Sequence, residues 1–247
     1  MRQPSPALKT YLGLVVILAI LAAVNVFLPQ GIYSPLQQLP APKPVLALAN
    51  AATMLVVYGG LGLVGLRLAS RVGFAEIWDS KVSNRERFLL PALIGVGIGG
   101  FFILADGIFS QFHTMGPLPH PPFPTSLVVS AIAGIGEEII FRLFFIPFWV
   151  WLISHVILKK GWQDLTFSIV AVLSALAFAA GHIPSVMILL GLDSINALPL
   201  ELLAEIFLLN GILALLAAFF FRKYGFLAAV GIHFWTDVIW HVIYGAI

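Results

Sequence analysis

Long apolar runs separated by short polar segments dominate the pattern of this chain. A helix that crosses a lipid bilayer needs about 20 mostly apolar residues, because each residue adds about 1.5 Å along the axis. Seven runs meet that length, at 10–28, 44–66, 88–112, 125–157, 165–182, 200–221 and 225–246. The pattern therefore predicts an all-α, polytopic transmembrane bundle of about seven spanning helices, with eight segments as the alternative.

The run at 125–157 is longer than one straight crossing requires, so we expect it to tilt or to bend at Pro147. The first run ends at Leu28-Pro29-Gln30, which does not resemble a small-residue cleavage site. We therefore expect a retained first helix. No internal repeat is visible, and we predict one membrane-embedded domain over 1–247.

The composition supports a membrane protein. Of the 247 residues, 60% are apolar and 10% are charged, against about 45–50% and about 25% in ordinary soluble domains. The net charge of +2, without a dense basic face, argues against a nucleic-acid partner and leaves membrane lipid as the expected surroundings. The absence of cysteine excludes disulfides, thiolate nucleophiles and cysteine-based metal sites.

Lysine and arginine fall in alternate connections between the runs. The basic connections carry Arg2, Lys9, Arg67, Arg71, Lys81, Arg85, Arg87, Lys159, Lys160, Arg222 and Lys223. The other connections carry only Lys43. Because basic loops stay on the cytoplasmic side, this alternation predicts a cytoplasmic N-terminus and an external C-terminus.

Charged and imidazole groups also occur inside three of the predicted spans. These are the segments Gly136-Glu137-Glu138-Ile139-Ile140-Phe141-Arg142, Phe178-Ala179-Ala180-Gly181-His182 and His233-Phe234-Trp235-Thr236-Asp237. Each charge in hydrocarbon costs about 2.5 to over 10 kcal/mol, depending on the scale. Groups placed there at such a cost are the strongest candidates for function.

Helical spacing assigns these groups to faces. Glu138 and Arg142 are four residues apart, so they share a face and can pair. Glu137 is rotated by about 100° from Glu138 and is left without a local cation, which suits a general base. His233 and Asp237 are also four apart, so Asp237 either fixes the tautomer of His233 or joins the site directly.

Three motifs follow one another in the second half of the chain: Glu-Glu-x-x-x-Arg at 137–142, Phe-x-x-x-His at 178–182 and His-x-x-x-Asp at 233–237. This combination resembles the CPBP family of CAAX proteases and bacteriocin-processing enzymes, also called Abi, which includes the type II CAAX prenyl endopeptidases. The resemblance covers a core from about 125 to 247, whereas the first three helices match only in being apolar.

The resemblance implies an intramembrane glutamic endopeptidase that acts on membrane-associated or lipidated proteins or peptides. By motif position, Glu137 would activate water and His182 would assist it. His233 and Asp237 would polarise the scissile carbonyl. Site support would come from Glu138, Arg142 and Phe178. The position of Asp237 is Asn in many CAAX enzymes, and an ionised Asp cannot donate to an oxyanion, so it must be protonated or act through His233.

Two other functions stay open. No cofactor is expected, but Glu137, His182 and His233 could form a zinc triad with an open fourth position in a metal-dependent membrane hydrolase. Acid–histidine chains inside membranes also serve proton relays, so an ion-coupled transporter or a binding protein is the second alternative. Against a zincin and a serine hydrolase, the sequence lacks His-Glu-x-x-His and Gly-x-Ser-x-Gly.

The polar residues outside the motifs are expected to be structural. We expect Asp106, His113 and His120 to be ordinary polar groups beside a loop, Glu205 to suit the start of a helix, and His241 to be structural. The predicted orientation puts Glu137 and His182 toward the outer side, although CAAX enzymes act on the cytoplasmic side. Either the site opens outward, or the fourth segment is bent or re-entrant.

Overall fold

The computed structural model describes residues 5–31 and 39–247. Within these ranges it is all-helical, and seven helices are long and apolar enough to cross a membrane, which confirms the predicted fold class. They are α1 (Pro6–Asn25), α2 (Lys43–Arg71), α3 (Arg85–Phe109), α4 (Thr125–Ile157), α5 (Gln163–Leu190), α6 (Leu200–Tyr224) and α7 (Phe226–Ala246). Of the basic residues named above, Arg2 lies outside the described residues.

Helix α4 is long but continuous. It is α-helical to Glu138 and then widens into π-helical turns at Ile139–Phe145 and Trp151–Ile157, on either side of Ile146–Val150. A proline ring clashes with the carbonyl four residues earlier in a regular α-helix. The wider turn just before Pro147 changes that spacing, so the helix continues past the proline.

Helix α5 extends beyond its predicted end at His182. Its regular hydrogen bonding stops at Gly181 and resumes over Ile183–Leu190. Pro184 lies at the first turn of this second part, where its missing N–H costs no hydrogen bond. The chain near Pro184 therefore contains a short interruption within one long helix, and not the end of the helix.

Glycines allow the helices around the site to approach closely. A Cβ on Gly65 of α2 would overlap the backbone of Leu143 in α4. On α3, a Cβ at Gly95 would lie 2.5 Å from the carbonyl oxygen of Ile232, and one at Gly99 would lie 2.5 Å from Cβ of Ile239. Small residues at helix contacts are typical of membrane bundles. They fix α7 against α3, and α7 also packs on α4 and α6.

The outer surface of the bundle is strongly apolar. Leu48, Val56, Leu104 and Ile188 are each at least 70% exposed. In water such a surface would drive aggregation, whereas in a bilayer it contacts lipid. The exposed leucine, valine and isoleucine side chains and the lengths of the helices therefore both indicate a bundle that lies in a membrane.

Candidate active site

The residues that the three motifs singled out line one cavity of about 410 Å³. Glu137 comes from α4, His182 from α5, and His233 and Asp237 from α7. They are widely separated in sequence, so the packing of three helices brings them together. The cavity walls are otherwise mostly apolar, which strengthens electrostatic interactions among the few polar groups.

The two adjacent glutamates of α4 have different surroundings. Glu138 is fully buried, whereas the side chain of Glu137 is 36% exposed and lines the cavity. Successive residues of a helix point about 100° apart, which accounts for the difference. Helix α4 therefore supplies one carboxylate to the cavity and one to the interior of the bundle.

The buried carboxylate of Glu138 contacts two basic side chains. Its Oε1 lies 3.1 Å from Nη1 of Arg142 and 2.9 Å from Nδ1 of His233. Arg142 is fully buried as well, and its guanidinium carbon lies 4.5 Å from the centre of the Phe178 ring. The predicted pairing of Glu138 with Arg142 is confirmed. Glu138 also connects that pair to the imidazole of α7.

His233 lies between carboxylates on both sides of its ring. A carboxylate can only accept, so Nδ1 carries the hydrogen of the bond to Glu138. On the other side, Nε2 lies 3.8 Å from Oε2 of Glu137 and 3.6 Å from Oδ2 of Asp237. Spacing alone offered Asp237 as the group that fixes the tautomer. In the structure Glu138 occupies that position, and Asp237 faces the nitrogen on the cavity side.

The interruption in α5 orients His182. The N–H of His182 donates to the carbonyl of Ala179, three residues back. The carbonyl of Phe178 instead lies 2.9 Å from Nδ1 of the His182 ring. A carbonyl can only accept, so Nδ1 carries the hydrogen and Nε2 keeps its lone pair. The helix end thus fixes a tautomer that leaves a proton acceptor at the cavity.

Phe178 packs between the other members of the group. Its ring centre lies 4.9 Å from that of His182 and 5.7 Å from that of His233, both in edge contacts. The ring of Phe141 packs edge-on against Phe178, with 5.3 Å between the ring centres. Phe178 is 1% exposed. It packs beside His182 as expected and also holds the two imidazoles at a fixed separation.

The side chains give a metal triad no support. Across residues 5–31 and 39–247, no three His, Asp or Glu side chains are arranged to hold one metal ion, and this includes Glu137, His182 and His233. The Nδ1 atoms of both histidines take part in hydrogen bonds, which leaves Nε2 as the open nitrogen of each ring. No step is assigned to zinc.

A second pair of imidazoles contributes to the cavity and was missed by sequence reasoning. The Nδ1 atoms of His120 and His241 lie 3.1 Å apart, so one ring donates to the other. His241 lines the cavity, and His120 packs edge-on against Trp240 at 4.7 Å. Burial lowers the pKa of His120, against the opposing charge of Asp106, which agrees with a neutral ring. The expectation that His120 is an ordinary loop group is wrong.

Asp106, His113 and Glu205 are also buried, contrary to expectation. Asp106 and Glu205 have no exposed surface, and the side chain of His113 is 1% exposed. Nε2 of His113 lies 3.6 Å from Glu205, while Asp106 accepts the N–H of Leu118 at 2.9 Å. These contacts hold the segment after α3 against the bundle, where Leu118 lines the cavity. No sequence spacing signals a contact that depends on how a loop folds back.

Comparison with known families places the cavity in context. Residues 119–239 match the family model for Rce1-like, type II CAAX prenyl endopeptidases. No curated protein matches the chain, and no solved structure does. The matched residues include the three motifs and every catalytic candidate they supplied. The seven apolar helices agree with an integral, multi-pass membrane protein. The resemblance predicted from the motifs is confirmed over about half of the chain, because residues 119–239 match the Rce1-like model of type II CAAX prenyl endopeptidases.

Proposed function

We propose that this chain is a glutamic intramembrane endopeptidase of the CPBP type, which hydrolyses a peptide bond in a membrane-associated protein or peptide. One observation carries the proposal. Glu137 lies in a cavity 3.8 Å from Nε2 of His233, while the buried Glu138 holds that ring from the other side. A base that activates water and a positioned imidazole that stabilises the oxyanion can together promote hydrolysis of a peptide bond.

Glu137 acts as the general base. Its carboxylate takes a proton from a water molecule, and the resulting hydroxide adds to the carbonyl carbon of the scissile bond. The tetrahedral intermediate then collapses, the C–N bond breaks, and Glu137 returns its proton to the leaving nitrogen. One new carboxyl terminus and one new amino terminus result, with one water molecule consumed.

His233 stabilises the oxyanion of the intermediate. Its Nδ1–H is committed to Glu138, so donation to the oxyanion comes from Nε2 in the doubly protonated ring. Asp237, at 3.6 Å from Nε2, assists in one of two ways. Its protonated carboxyl donates to the oxyanion directly, or its carboxylate acts through His233. Buried donors aimed at developing charge are a large source of catalysis.

His182 positions the water. With Nδ1–H donated to the carbonyl of Phe178, the lone pair on Nε2 accepts a hydrogen of the water that Glu137 deprotonates. Two acceptors on one water direct its oxygen lone pair toward the carbonyl carbon. Glu138, Arg142 and Phe178 hold these imidazoles without touching the substrate.

The proposal is tested with purified protein in lipid vesicles. A mixture of apolar peptides is incubated with wild type in water enriched in ¹⁸O, and the products are read by mass spectrometry. We expect cleavage with one ¹⁸O in each new carboxyl terminus. Glu137→Gln keeps the shape and removes the base, so the rate should fall by about 10²–10⁴-fold. Glu201→Gln, on an exposed residue at the start of α6, is the matched control.

The same assay separates the alternatives. A rate that falls with a chelator and returns with added Zn²⁺ would favour the metal-dependent hydrolase. Cleavage that is equal in wild type and Glu137→Gln would contradict the proposed base. An absence of cleavage in a folded protein, together with proton flux that depends on Glu137, would favour an ion-coupled transporter.

A further inference from the structure

The two ends of the helix bundle differ in charge. One end, called here the basic end, joins the segments 72–84, 158–162 and 222–226. The N–H of Ala75 donates to the carbonyl of Arg222, Nε2 of Gln163 donates to the carbonyl of Val72, and Arg222 pairs with Asp164. The basic residues of the three segments are Lys81, Lys159, Lys160, Arg222 and Lys223. Lysine and arginine therefore concentrate at one end.

The opposite end, called here the cavity end, is built from the segments after α1 and α3 and from the end of α7. Thr125 donates to the carbonyl of Pro29, and His120 packs against Tyr244 near the C-terminus. Among the residues that the structure describes at this end, Lys43 is the one lysine or arginine. The alternation that the sequence predicts along the chain is thus a real separation in space.

The cavity of the active site lies toward the cavity end. Its walls include Gln30 from the segment after α1, and Leu118, Pro119 and Pro121 from the segment after α3. None of the cavity-lining residues comes from 72–84, 158–162 or 222–226. The cavity that contains Glu137 is therefore walled by segments of the end that lacks basic loops.

The cavity walls also indicate the chemistry of a substrate. Of the residues that line the cavity, none is lysine or arginine, and the ionisable side chains other than imidazoles are the carboxyl groups of Glu137 and Asp237. A free terminal carboxylate would find no lysine or arginine partner and would face these like charges. Apolar walls formed by Val129, Leu189 and Leu213 suit the interior of an apolar segment.

We propose that the active site faces the non-cytoplasmic side of the membrane and cleaves an internal bond of an apolar polypeptide segment presented there. Basic loops remain cytoplasmic in membrane proteins, which orients the basic end inward and the cavity end outward. The substrate is then an exported peptide segment or the outer part of a spanning helix, and not the C-terminus of a cytosolic protein. This inference rests on the proposed endopeptidase function for its substrate, but its orientation can be tested without activity.

The absence of native cysteine makes single-cysteine labelling direct, because no background thiol must be removed. Ser80→Cys reports the basic end, Ser194→Cys the cavity end, and Ser185→Cys the cavity itself. Val129→Cys is a second cavity position, in case the first variant fails to accumulate. Intact cells are treated with a membrane-impermeant maleimide, quenched, permeabilised and treated with a second maleimide of different mass.

We expect the cavity-end and cavity cysteines to react in intact cells and Ser80→Cys to react only after permeabilisation. Reaction of Ser80→Cys from outside with protection of Ser194→Cys would overturn the proposal. It would also be overturned if Ser194→Cys reacted from outside while both cavity cysteines reacted only after permeabilisation.

The labelling tests the orientation and the cleavage assay tests the endopeptidase function, so either claim can fail without the other. Adding Glu137→Gln to Ser185→Cys should abolish cleavage and leave the labelling unchanged. External labelling without cleavage that depends on Glu137 would sink the endopeptidase function and leave the orientation standing. Cleavage that depends on Glu137, together with external labelling of Ser80→Cys and protection of Ser194→Cys, would support the endopeptidase and contradict the orientation. Cleavage sites on the cytoplasmic side of substrates would also contradict this inference while supporting the peptidase.

Discussion

At the scale of single residues, Glu138 connects parts that come from different helices. It accepts from His233 of α7 and pairs with Arg142 one turn along α4. A buried carboxylate with two basic partners has its charge balanced and its geometry fixed at once. The reactive face of His233 thus depends on a residue that does not itself line the cavity.

The first prediction concerns this buried pair. Replacing Glu138 by Leu leaves Arg142 as a buried, unpaired cation and should lower the free energy of unfolding by about 3–5 kcal/mol. Combining Glu138→Leu with Arg142→Met removes both charges and should restore most of the stability. Both variants should lose activity, because His233 has lost its Nδ1 acceptor. Thermal unfolding in detergent and peptide cleavage measure the two effects, and a single variant as stable as wild type would contradict the account.

The second prediction distinguishes shape from charge at Asp237. An Asn side chain keeps a hydrogen-bond donor beside Nε2 of His233, so Asp237→Asn should retain most of the activity. Asp237→Ala removes that group and should lower the cleavage rate by about 10²–10³-fold. Initial rates on one peptide substrate provide the comparison. If Asn is as inactive as Ala, the carboxylate acts through His233 instead of donating.

Spacing along single helices was enough to predict the pairing of Glu138 with Arg142 and the proximity of His233 and Asp237. It could not reveal the hydrogen bond from His233 to Glu138, because these residues are 95 positions apart in the chain and lie on different helices. The pair of His120 and His241 was missed for the same reason. Contacts within one helix follow from its period, whereas contacts between helices follow from packing.

At the scale of elements, the position of α7 against α3 sets the site. Gly95 lies against the backbone of Ile232 and Thr236, which are the neighbours of His233 and Asp237 in the chain. Thr236 also donates to the carbonyl of Gly95 or of Ile232. Close backbone approach of this kind leaves no room for a side chain. The residues of α3 thus determine where the α7 side chains enter the cavity.

The third prediction tests this contact with two glycines of the same helix. A Cβ at Gly95 would lie 2.5 Å from the carbonyl oxygen of Ile232, so Gly95→Ala must push α7 away. We expect a loss of about 1–3 kcal/mol in stability and a fall in activity. At Gly97 nothing lies within 4 Å of a Cβ, so Gly97→Ala is the matched control and should be neutral or stabilising. Equal effects of the two changes would contradict the packing described.

Helix lengths in the sequence predicted the number of elements, but local hydrogen bonding inside them was not foreseen. The run that ends at His182 continues as a helix to Leu190. Pro184 lies in the first turn after the interruption, where a proline is tolerated. What the sequence left open is that the chain resumes the helix after one interrupted turn, which is also the turn that orients His182.

At the scale of the whole molecule, seven crossings require the two termini to lie on opposite sides of the membrane. In the described chain, basic loops lie at one end of the bundle and the active-site cavity lies toward the other. The basic loops were visible in sequence, and the direction of the cavity depended on the packing of loops over it. In the proposed orientation, the basic loops place one end of the bundle in the cytoplasm, and helix packing places the cavity toward the other end.

The fourth prediction follows from this odd number of crossings. A reporter that is active only in the cytoplasm should work when fused before Met1 and fail when fused after Ile247. A reporter active only outside should give the opposite result. Matched expression of the four fusions, checked by immunoblot, is the control. Activity of the same reporter at both termini would require an even number of crossings and would contradict the seven-helix topology.

The central claim is that Glu137 makes this chain a peptidase, and the most direct measurement compares the termini of membrane-associated peptides in cells. Cells carrying wild type, Glu137→Gln or Glu201→Gln at equal levels are analysed by mass spectrometry of new amino and carboxyl termini. We predict matched pairs of termini from single bonds in wild type and Glu201→Gln, and their loss in Glu137→Gln. Identical termini in all three, with folded protein confirmed at equal levels under the host's normal growth conditions, would contradict the account.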